Sequence, residues 1–327
     1  MSDAAPRSGD DAAAPPLDTT RIRTVPLARR PNKVRAEEFA QPPRADLSFE
    51  AFLGSLPDLL EARSFLAVVD AIVAAARSGR GVLCMMGGHV IKTGLAPVLI
   101  DLMERGAVTH LATNGSAVIH DYEMARWGGT SEDVEAGLAR GTFGMAEETG
   151  REMNEAIRRG AAAGHGLGEA LARALEEGPE LAHPELSLLL AARRLGIGFT
   201  VHAAIGAEII HQHPAADGAA IGATSYTDFL RLAGYLPRLE EGVVLNLGSA
   251  VIMPEVFLKA LTMCRNVHDG APRAFTAADF DMIRHYRPRV NVVERPTRSG
   301  GGHGYQITGH HELLVPLLGW AVAARLG

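Results

Sequence analysis

The densest group of polar residues in this sequence follows a short apolar run and begins at Asn114. The side chains of Asn114 and Ser116 can form hydrogen bonds with a ribose or an amide. His120 and Glu123 are three residues apart, so on a helix they share one face. Because a histidine beside carboxylates can act as a general acid or base, we predict that His120 is a catalytic base oriented by Asp121 or Glu123. The alternative is that Asp121 and Glu123 cap the helix and offset its dipole.

A second candidate site is the glycine-rich turn over residues 87–94, which follows another apolar run. Glycine allows a ligand to approach the backbone closely, and Lys92 could hold a phosphate or a carboxylate as a point charge. The spacing matches neither the phosphate-binding loop of nucleoside triphosphatases nor the full dinucleotide fingerprint, and an ordinary tight turn is the alternative. The residues that we predict to contact a cofactor here are Gly87, Gly88, His89, Thr93 and Gly94.

Three segments share one pattern, in which an apolar run ends in a polar or glycine-rich turn and a helical pattern follows. They cover residues 82–89, 111–116 and 243–249. In an open α/β sheet such turns lie at the carboxyl ends of the strands, where free backbone amides and helix N-termini attract anions. We therefore predict one crevice for a phosphate-bearing cofactor, a dinucleotide such as NAD. In the second and third turns the predicted contacts are Asn114, Gly115, Ser116, Asn246, Gly248 and Ser249.

Four histidines are predicted to line the substrate site, namely His202, His303, His310 and His311. His303 lies in a glycine-rich segment, residues 300–304, which has the composition of a mobile lid. Because the sequence has neither a His-Glu-x-x-His pair nor a cluster of cysteines, we predict no metal site. The alternative for these histidines is an ordinary place in the core or in solvent.

The composition is that of an ordinary globular enzyme, with 47% hydrophobic and 21% charged residues among 327. The net charge of −6 gives no basic surface for nucleic acid, so we expect a small-molecule substrate. Cys84 and Cys264 are too few for a disulfide framework, and we predict that both are buried thiols. No apolar run approaches about 18 residues and the first residues lack the apolar part of a secretory signal, so we expect a cytoplasmic protein without membrane contact.

Alternating strand and helix patterns predict a Rossmann-like, doubly wound α/β fold with a mostly parallel sheet and helices on both faces. The predicted strands cover residues 81–86, 108–112, 198–203, 243–247 and 289–293. Residues 1–45 lack a hydrophobic period, so we predict a disordered arm or one that docks in an oligomer. Residues 46–327 are then a single domain, with a helical insertion at about residues 142–180.

Several short motifs resemble the deoxyhypusine synthase superfamily, over most of the chain beyond residue 50. Residues 91–95 read Ile-Lys-Thr-Gly-Leu, where the family has Ile-Ser-Ser-Gly-Leu. Residues 243–251 are similar to the family's Ile-Ile-Leu-Gly-Gly-Gly-Val-Val strand and turn, and residues 311–318 are similar to its closing Val-Phe-Pro-Leu-Leu helix. Residues 115–123 are similar to the Gly-Asn-Ala-x-x-His-Asp-x-Glu run of the archaeal ornithine cyclodeaminase domain.

The resemblance implies a Rossmann-like domain that binds NAD, in a homotetramer that acts on a small molecule. In the family, NAD takes a hydride from an amine and the resulting imine is passed to a lysine. The loop with this lysine would fall near residues 298–305, where this sequence has none. We therefore expect a divergent NAD-dependent enzyme for transfer or elimination on a small amine or amino-acid-like substrate, and not a deoxyhypusine synthase proper. The alternative is a non-catalytic nucleotide-binding or regulatory protein on the same scaffold.

Overall fold

The computed structural model describes residues 17–23, 25–26, 29–31, 33–42, 48–298 and 300–327. The chain divides after Glu38 into two units. The first unit contains two short turns of 3-10 helix, Thr19–Arg21 and Ala36–Glu38. The predicted arm over residues 1–45 falls partly outside the described residues, so its disorder and its docking stay predictions.

The second unit is built on a six-stranded sheet in which every neighbouring pair of strands is parallel. The strand order is 3-2-1-4-5-6. The second and third strands are added on one side of the first strand, and the fourth, fifth and sixth strands are added on its other side. This is the order of a doubly wound sheet, and the predicted α/β class is confirmed. The strands are β1 Val82–Met86, β2 His110–Asn114, β3 Gly198–His202, β4 Val243–Leu247, β5 Thr276–Asp281 and β6 His303–Thr308.

Helices cover both faces of this sheet. The first of them begins after Ser48, whose Oγ accepts a hydrogen bond from the Ala51 amide at 3.2 Å, as a serine N-cap does. The α-helices of the described residues are α1 Phe49–Ser55, α2 Leu60–Ser78, α3 Gly88–Lys92, α4 Ala96–Glu104, α5 Gly115–Trp127, α6 Val134–Arg140, α7 Glu147–Ala162, α8 Leu167–Glu177, α9 Leu188–Leu195, α10 Gly218–Tyr235, α11 Ile252–Val267 and α12 His311–Leu326.

The sheet is covered on both sides because its central strands are apolar on both sides. In β1, Val82, Cys84 and Met86 face a core that is formed with α2, α4 and α12. Leu83 and Met85 point the other way, into a core formed with α10 and α11. All five side chains are fully buried, which is the continuous apolar pattern typical of a parallel sheet.

A third apolar core lies beside β3 and supports the long helical segment of the chain. Tyr122 of α5, Met153 of α7 and Leu171 of α8 meet Val201 of β3 in this core. Residues 142–180, which we predict to be a helical insertion, contain α7 and α8. In the described part of the chain, no helix is both long enough and apolar enough to span a membrane.

The predicted strand over residues 289–293 is wrong. Its valines favour a strand, but the segment forms a π-helix, Pro288–Glu294, because proline suits a helical first turn and packing overrides the intrinsic β-propensity. The apolar pattern does not predict β5 and β6 either, since β5 contains Asp279 and Asp281 and β6 is a partly exposed edge strand of polar sequence. His303 begins β6, so this end of the predicted lid is a strand.

Candidate functional site

A cavity of about 790 Å³ opens along one side of α5, which follows β2. Its walls come from α3, α5, α6 and α7 and from the segment after β3. We call it the His120 cavity, because the ring of His120 is part of its wall. The charged side chains in the lining are Lys92, Glu123, Glu132, Glu148 and Glu208. Four carboxyl groups against one ammonium group favour a cationic ligand over an anionic one.

His120 belongs to a chain of hydrogen bonds inside this wall. Its Nδ1 lies 2.6 Å from Oγ1 of Thr130, and that hydroxyl donates to Oε2 of Glu123 at 2.5 Å. The other carboxylate oxygen of Glu123 accepts a hydrogen bond from the Thr149 hydroxyl at 2.9 Å. Of the two carboxylates that the sequence offers as partners of His120, Glu123 is therefore the one connected to it, through Thr130.

The environment keeps His120 neutral. Burial, and to a smaller extent the positive charge of Lys92, lowers the pKa of His120 from 6.5 to about 4. At pH 7 the ring therefore carries one proton and keeps a lone pair on one nitrogen. A neutral imidazole in the wall of a cavity has a lone pair that can accept a proton from a bound molecule, and a pKa of about 4 makes this ring a weaker base than an unperturbed histidine.

Replacing Lys92 by methionine is expected to raise the pKa of His120 above about 4, because one of the two causes of its lowering is removed. The pKa should stay below 6.5, since burial is the larger cause. The pKa of His120 is lower in the folded chain than in the unfolded chain, so the free energy of unfolding decreases as the pH falls from 6.5 towards 4. In the Lys92→Met variant this decrease should end at a higher pH and be smaller. NMR titration of the His120 ring measures the change.

The matched control is Lys259→Met, which removes a lysine from α11 that is paired with Glu255 and lies outside the lining of the cavity. This control should leave the pKa of His120 at its original value. If the pKa of His120 were the same in the Lys92→Met variant as in the unaltered chain, the charge of Lys92 would not affect the ring.

Asp121 does not bond to His120, and it does not cap its own helix α5, which was the alternative, but the start of α9. Its carboxyl group accepts hydrogen bonds from Oγ of Ser187 and from the amide of Leu188, both at 2.7 Å. These two groups stand at the start of α9, so Asp121 joins α5 to the N-terminus of α9. The side chain is 1% exposed, and burial raises its pKa to about 6.

The turn after β1 is shorter than predicted, because most of residues 87–94 form α3. The Thr93 hydroxyl donates back to the carbonyl of His89 at 3.0 Å. Gly94 follows with a φ of +78°, a left-handed conformation that favours glycine and ends the helix. Thr93 and Gly94 therefore terminate α3, and their contact with a cofactor stays a prediction.

The turns after β1, β2 and β4 lie side by side, as predicted for a shared crevice. They pack closely against each other where the crevice was expected. A Cβ atom on Gly87 would lie 2.9 Å from the carbonyl oxygen of Gly248, and one on Gly88 would lie 2.9 Å from Oγ of Ser116. The amide of Gly248 donates to the carbonyl of Phe280 at 3.0 Å. Glycine is needed here for the turns to approach each other.

The N-terminus of α5 is occupied by a carboxyl group of the chain itself. Oε1 of Glu208 accepts hydrogen bonds from the amides of Gly115 at 3.2 Å and Ala204 at 3.0 Å. Oε2 lies 3.2 Å from Nδ1 of His211, but that nitrogen already accepts a hydrogen bond from the Gly206 amide. Oε2 is thus buried without a hydrogen-bond partner, and burial raises the pKa of Glu208.

The polar side chains of the second and third turns are also used within the chain. Asn114 caps α5, and Asn246 donates to Oδ1 of Asp279 at 2.8 Å. The Ser249 hydroxyl accepts a hydrogen bond from the amide of the fourth residue after it, at 3.2 Å. In this arrangement the Gly115 amide and the side chains of Asn114, Asn246 and Ser249 are therefore engaged within the chain and not available to the pyrophosphate of NAD.

None of the four histidines predicted to line the substrate site lies in the wall of the His120 cavity. His202 and His311 are buried, with Nε2 of the first 3.2 Å from a neighbouring threonine hydroxyl and Nε2 of the second bonded to a carbonyl of β5 at 2.9 Å. His303 and His310 are exposed, at the start of β6 and before α12. Among the described residues, no three His, Cys, Asp or Glu side chains are grouped to hold a metal ion.

Seven polar residues of the cavity were not predicted, namely Thr130, Ser131, Glu132, Thr142, Glu148, Thr149 and Glu208. Five of them lie at or just before the starts of α6 and α7, where polar residues are common for structural reasons alone. Glu208 follows β3 and meets α5 through its contact with the Gly115 amide. No local spacing signals these residues, since they reach the cavity from α7 and from the segments before α6, after α6 and after β3.

Comparisons with known proteins place the chain at the level of fold. No protein-family profile and no curated protein matches it in sequence. A protein assigned as a deoxyhypusine synthase from Entamoeba histolytica matches with a TM-score of 0.52 and 12% identity, over 85% of this chain and 94% of that one. AgrE matches in its complex with ornithine and NAD⁺, with a TM-score of 0.51 and 18% identity, and unliganded, with a TM-score of 0.52 and 18% identity.

The match to AgrE covers 83% of this chain but only 34% of AgrE, so the chain spans about a third of the length of that protein. Identities below one fifth leave the likeness to these proteins one of fold. The chain has the Rossmann-like α/β fold that it shares with these structures, and its relation to the deoxyhypusine synthase superfamily is one of fold.

Proposed function

We propose that this chain is an enzyme that binds a small molecule with a positively charged amine and uses His120 as a general base. The observation that carries the proposal is a neutral histidine in the wall of a cavity that also holds four glutamates. Glu148, whose carboxyl group takes part in no hydrogen bond or ion pair among those of the described residues, would bind the amine, and His120 would take a proton from a carbon or a heteroatom near it. A volume of about 790 Å³ suits a small-molecule ligand.

Amine binding is tested by thermal unfolding of the full chain with ornithine, putrescine and spermidine, and with succinate as the anionic comparison. We expect one or more of the amines to raise the melting temperature and succinate to leave it unchanged. The Glu148→Gln variant should weaken the binding of the stabilising amine by about 1 kcal/mol, roughly fivefold in Kd, because one carboxylate of the lining is neutralised. Calorimetry measures this Kd.

The matched control is Glu104→Gln, since Glu104 is a glutamate of α4 that pairs with Arg194 outside the cavity. It should leave the Kd of the amine unchanged. Stabilisation by succinate but by none of the amines would contradict the proposed ligand class.

Turnover is tested by incubating the chain with the amine that binds, followed by mass spectrometry of the small molecules. The expected result is conversion that the His120→Gln variant loses while it still binds the amine. A chain that binds an amine and never converts it would be a non-catalytic amine-binding protein, which differs from the nucleotide-binding alternative of the sequence analysis in its ligand.

A second candidate is the NAD-dependent transfer or elimination that the resemblance implies, in a homotetramer. It is favoured by the fold shared with AgrE, which was crystallised with ornithine and NAD⁺. Glu208 stands against it, because its carboxyl group holds the Gly115 amide at the N-terminus of α5. For NAD to bind as the sequence predicts, this carboxyl group would first have to leave α5.

A further inference from the structure

The hydroxyl of Thr130 stands between the His120 ring and a carboxylate, and this position constrains its single proton. Thr130 Oγ1 lies 2.5 Å from Oε2 of Glu123 and 2.6 Å from Nδ1 of His120. An ionised carboxylate can only accept hydrogen bonds, so the hydroxyl proton points to Glu123. The hydroxyl oxygen can then only accept from the ring, which requires a proton on Nδ1.

Glu123 is itself held in place by a second donor. The Thr149 hydroxyl, on a buried residue of α7, donates to Oε1 at 2.9 Å, while Thr130 donates to Oε2. Each oxygen of the Glu123 carboxyl group thus acts as an acceptor and has its own hydroxyl donor. The orientation of the Thr130 hydroxyl therefore follows from groups on both α5 and α7.

The other ring nitrogen of His120 is open to the cavity. Among the hydrogen bonds of the described residues, none involves Nε2, and this atom is not one of the buried polar atoms without a partner. Because the ring lines the cavity, Nε2 is the nitrogen that a bound molecule can reach.

We propose that Thr130 is a positioning residue, which fixes His120 in the tautomer with the proton on Nδ1 and the lone pair of Nε2 directed to the cavity. In catalytic triads a carboxylate orients a histidine directly, whereas here a threonine hydroxyl lies between the carboxylate and the ring. Its catalytic consequence rests on the proposed function, whereas the tautomer is a property of the unliganded chain.

The tautomer is measured by ¹⁵N NMR of the histidine rings in the full chain at pH 7, with the His120 signals assigned by their loss in His120→Gln. We expect a protonated nitrogen at Nδ1 and an unprotonated one at Nε2. The Thr130→Ser variant keeps the hydroxyl and should give the same pattern. Thr130→Val removes the hydroxyl and should give a mixture of tautomers, with about tenfold lower turnover of any amine that is converted and an unchanged KM.

Thr142→Val is the matched control, because Thr142 lines the same cavity and bonds to the carbonyl of Gly137, away from His120. It should leave the ring signals unchanged. A proton on Nε2 in the unaltered chain overturns the proposal, whether or not the variants fold. The expected tautomer without any turnover would leave the role of Thr130 intact and count against the proposed function instead.

Discussion

The Asp121→Ala variant is expected to lose about 3 kcal/mol of unfolding free energy, because three groups at the start of α9 lose their acceptor in a buried place. These groups are the Ser187 hydroxyl and the Leu188 amide, each 2.7 Å from the carboxyl group, and the Leu189 amide at 3.4 Å. With Asp121 1% exposed, water cannot replace the lost acceptor without opening the core. Urea unfolding followed by circular dichroism measures the loss.

The matched control is Asp133→Ala, which removes an exposed N-cap on α6 with one hydrogen bond to the Ala136 amide at 3.0 Å. It should cost about 1 kcal/mol. A loss no larger in Asp121→Ala than in this control would contradict the capping role and return Asp121 to the list of candidate catalytic residues.

The pH dependence of the free energy of unfolding tests the burial of Asp121 independently, through a comparison of the unaltered chain with Asp121→Asn. The pKa of Asp121 is raised from 3.8 to about 6 in the folded chain, so ionisation of this carboxyl group costs folding free energy. That cost is absent below pH 3.8 and complete above about pH 6. The stability of the unaltered chain should therefore fall, relative to Asp121→Asn, as the pH rises through this window.

The fold was predictable from the sequence because it depends on local patterns. The apolar runs of β1 and β4 are followed by turns and helices, and that rhythm is enough to predict a parallel sheet with helices on both faces. β5 was missed since Asp279 and Asp281 break its apolar run, and both are buried at positions that the sequence marks as polar. Asp279 is buried beside Asn246 of the neighbouring β4, a contact that a local pattern does not show.

The sequence predicted the site correctly only for residues whose spacing along one helix brings them together. His120 and Glu123 share a helix face, and the structure joins them through one hydroxyl. Asp121 is one position further round the helix, towards the core, and its partner Ser187 is 66 residues away in sequence. Thr130 precedes α6 in a stretch that reads as a helix start, so nothing in its neighbourhood indicates that it bonds to a histidine on α5.

Removing the carboxyl group of Glu208 is expected to give the N-terminus of α5 an affinity for anions. In Glu208→Ala the Gly115 amide loses its acceptor and the positive end of a 13-residue helix is exposed. We expect NAD⁺ and pyrophosphate to raise the melting temperature of this variant and not that of the unaltered chain. A ligand at a hundred times its Kd would add about 2.7 kcal/mol to the unfolding free energy.

The decisive comparison is with Glu208→Gln, which keeps an acceptor of the same size for the amides of Gly115 and Ala204. If occupancy of α5 is what prevents anion binding, this variant should respond to NAD⁺ as little as the unaltered chain does. If charge alone prevents it, Glu208→Gln should respond as Glu208→Ala does. Stabilisation of the unaltered chain by NAD⁺ would show that Glu208 leaves α5 readily or that NAD binds elsewhere, and the NAD-dependent candidate would then replace the proposed one.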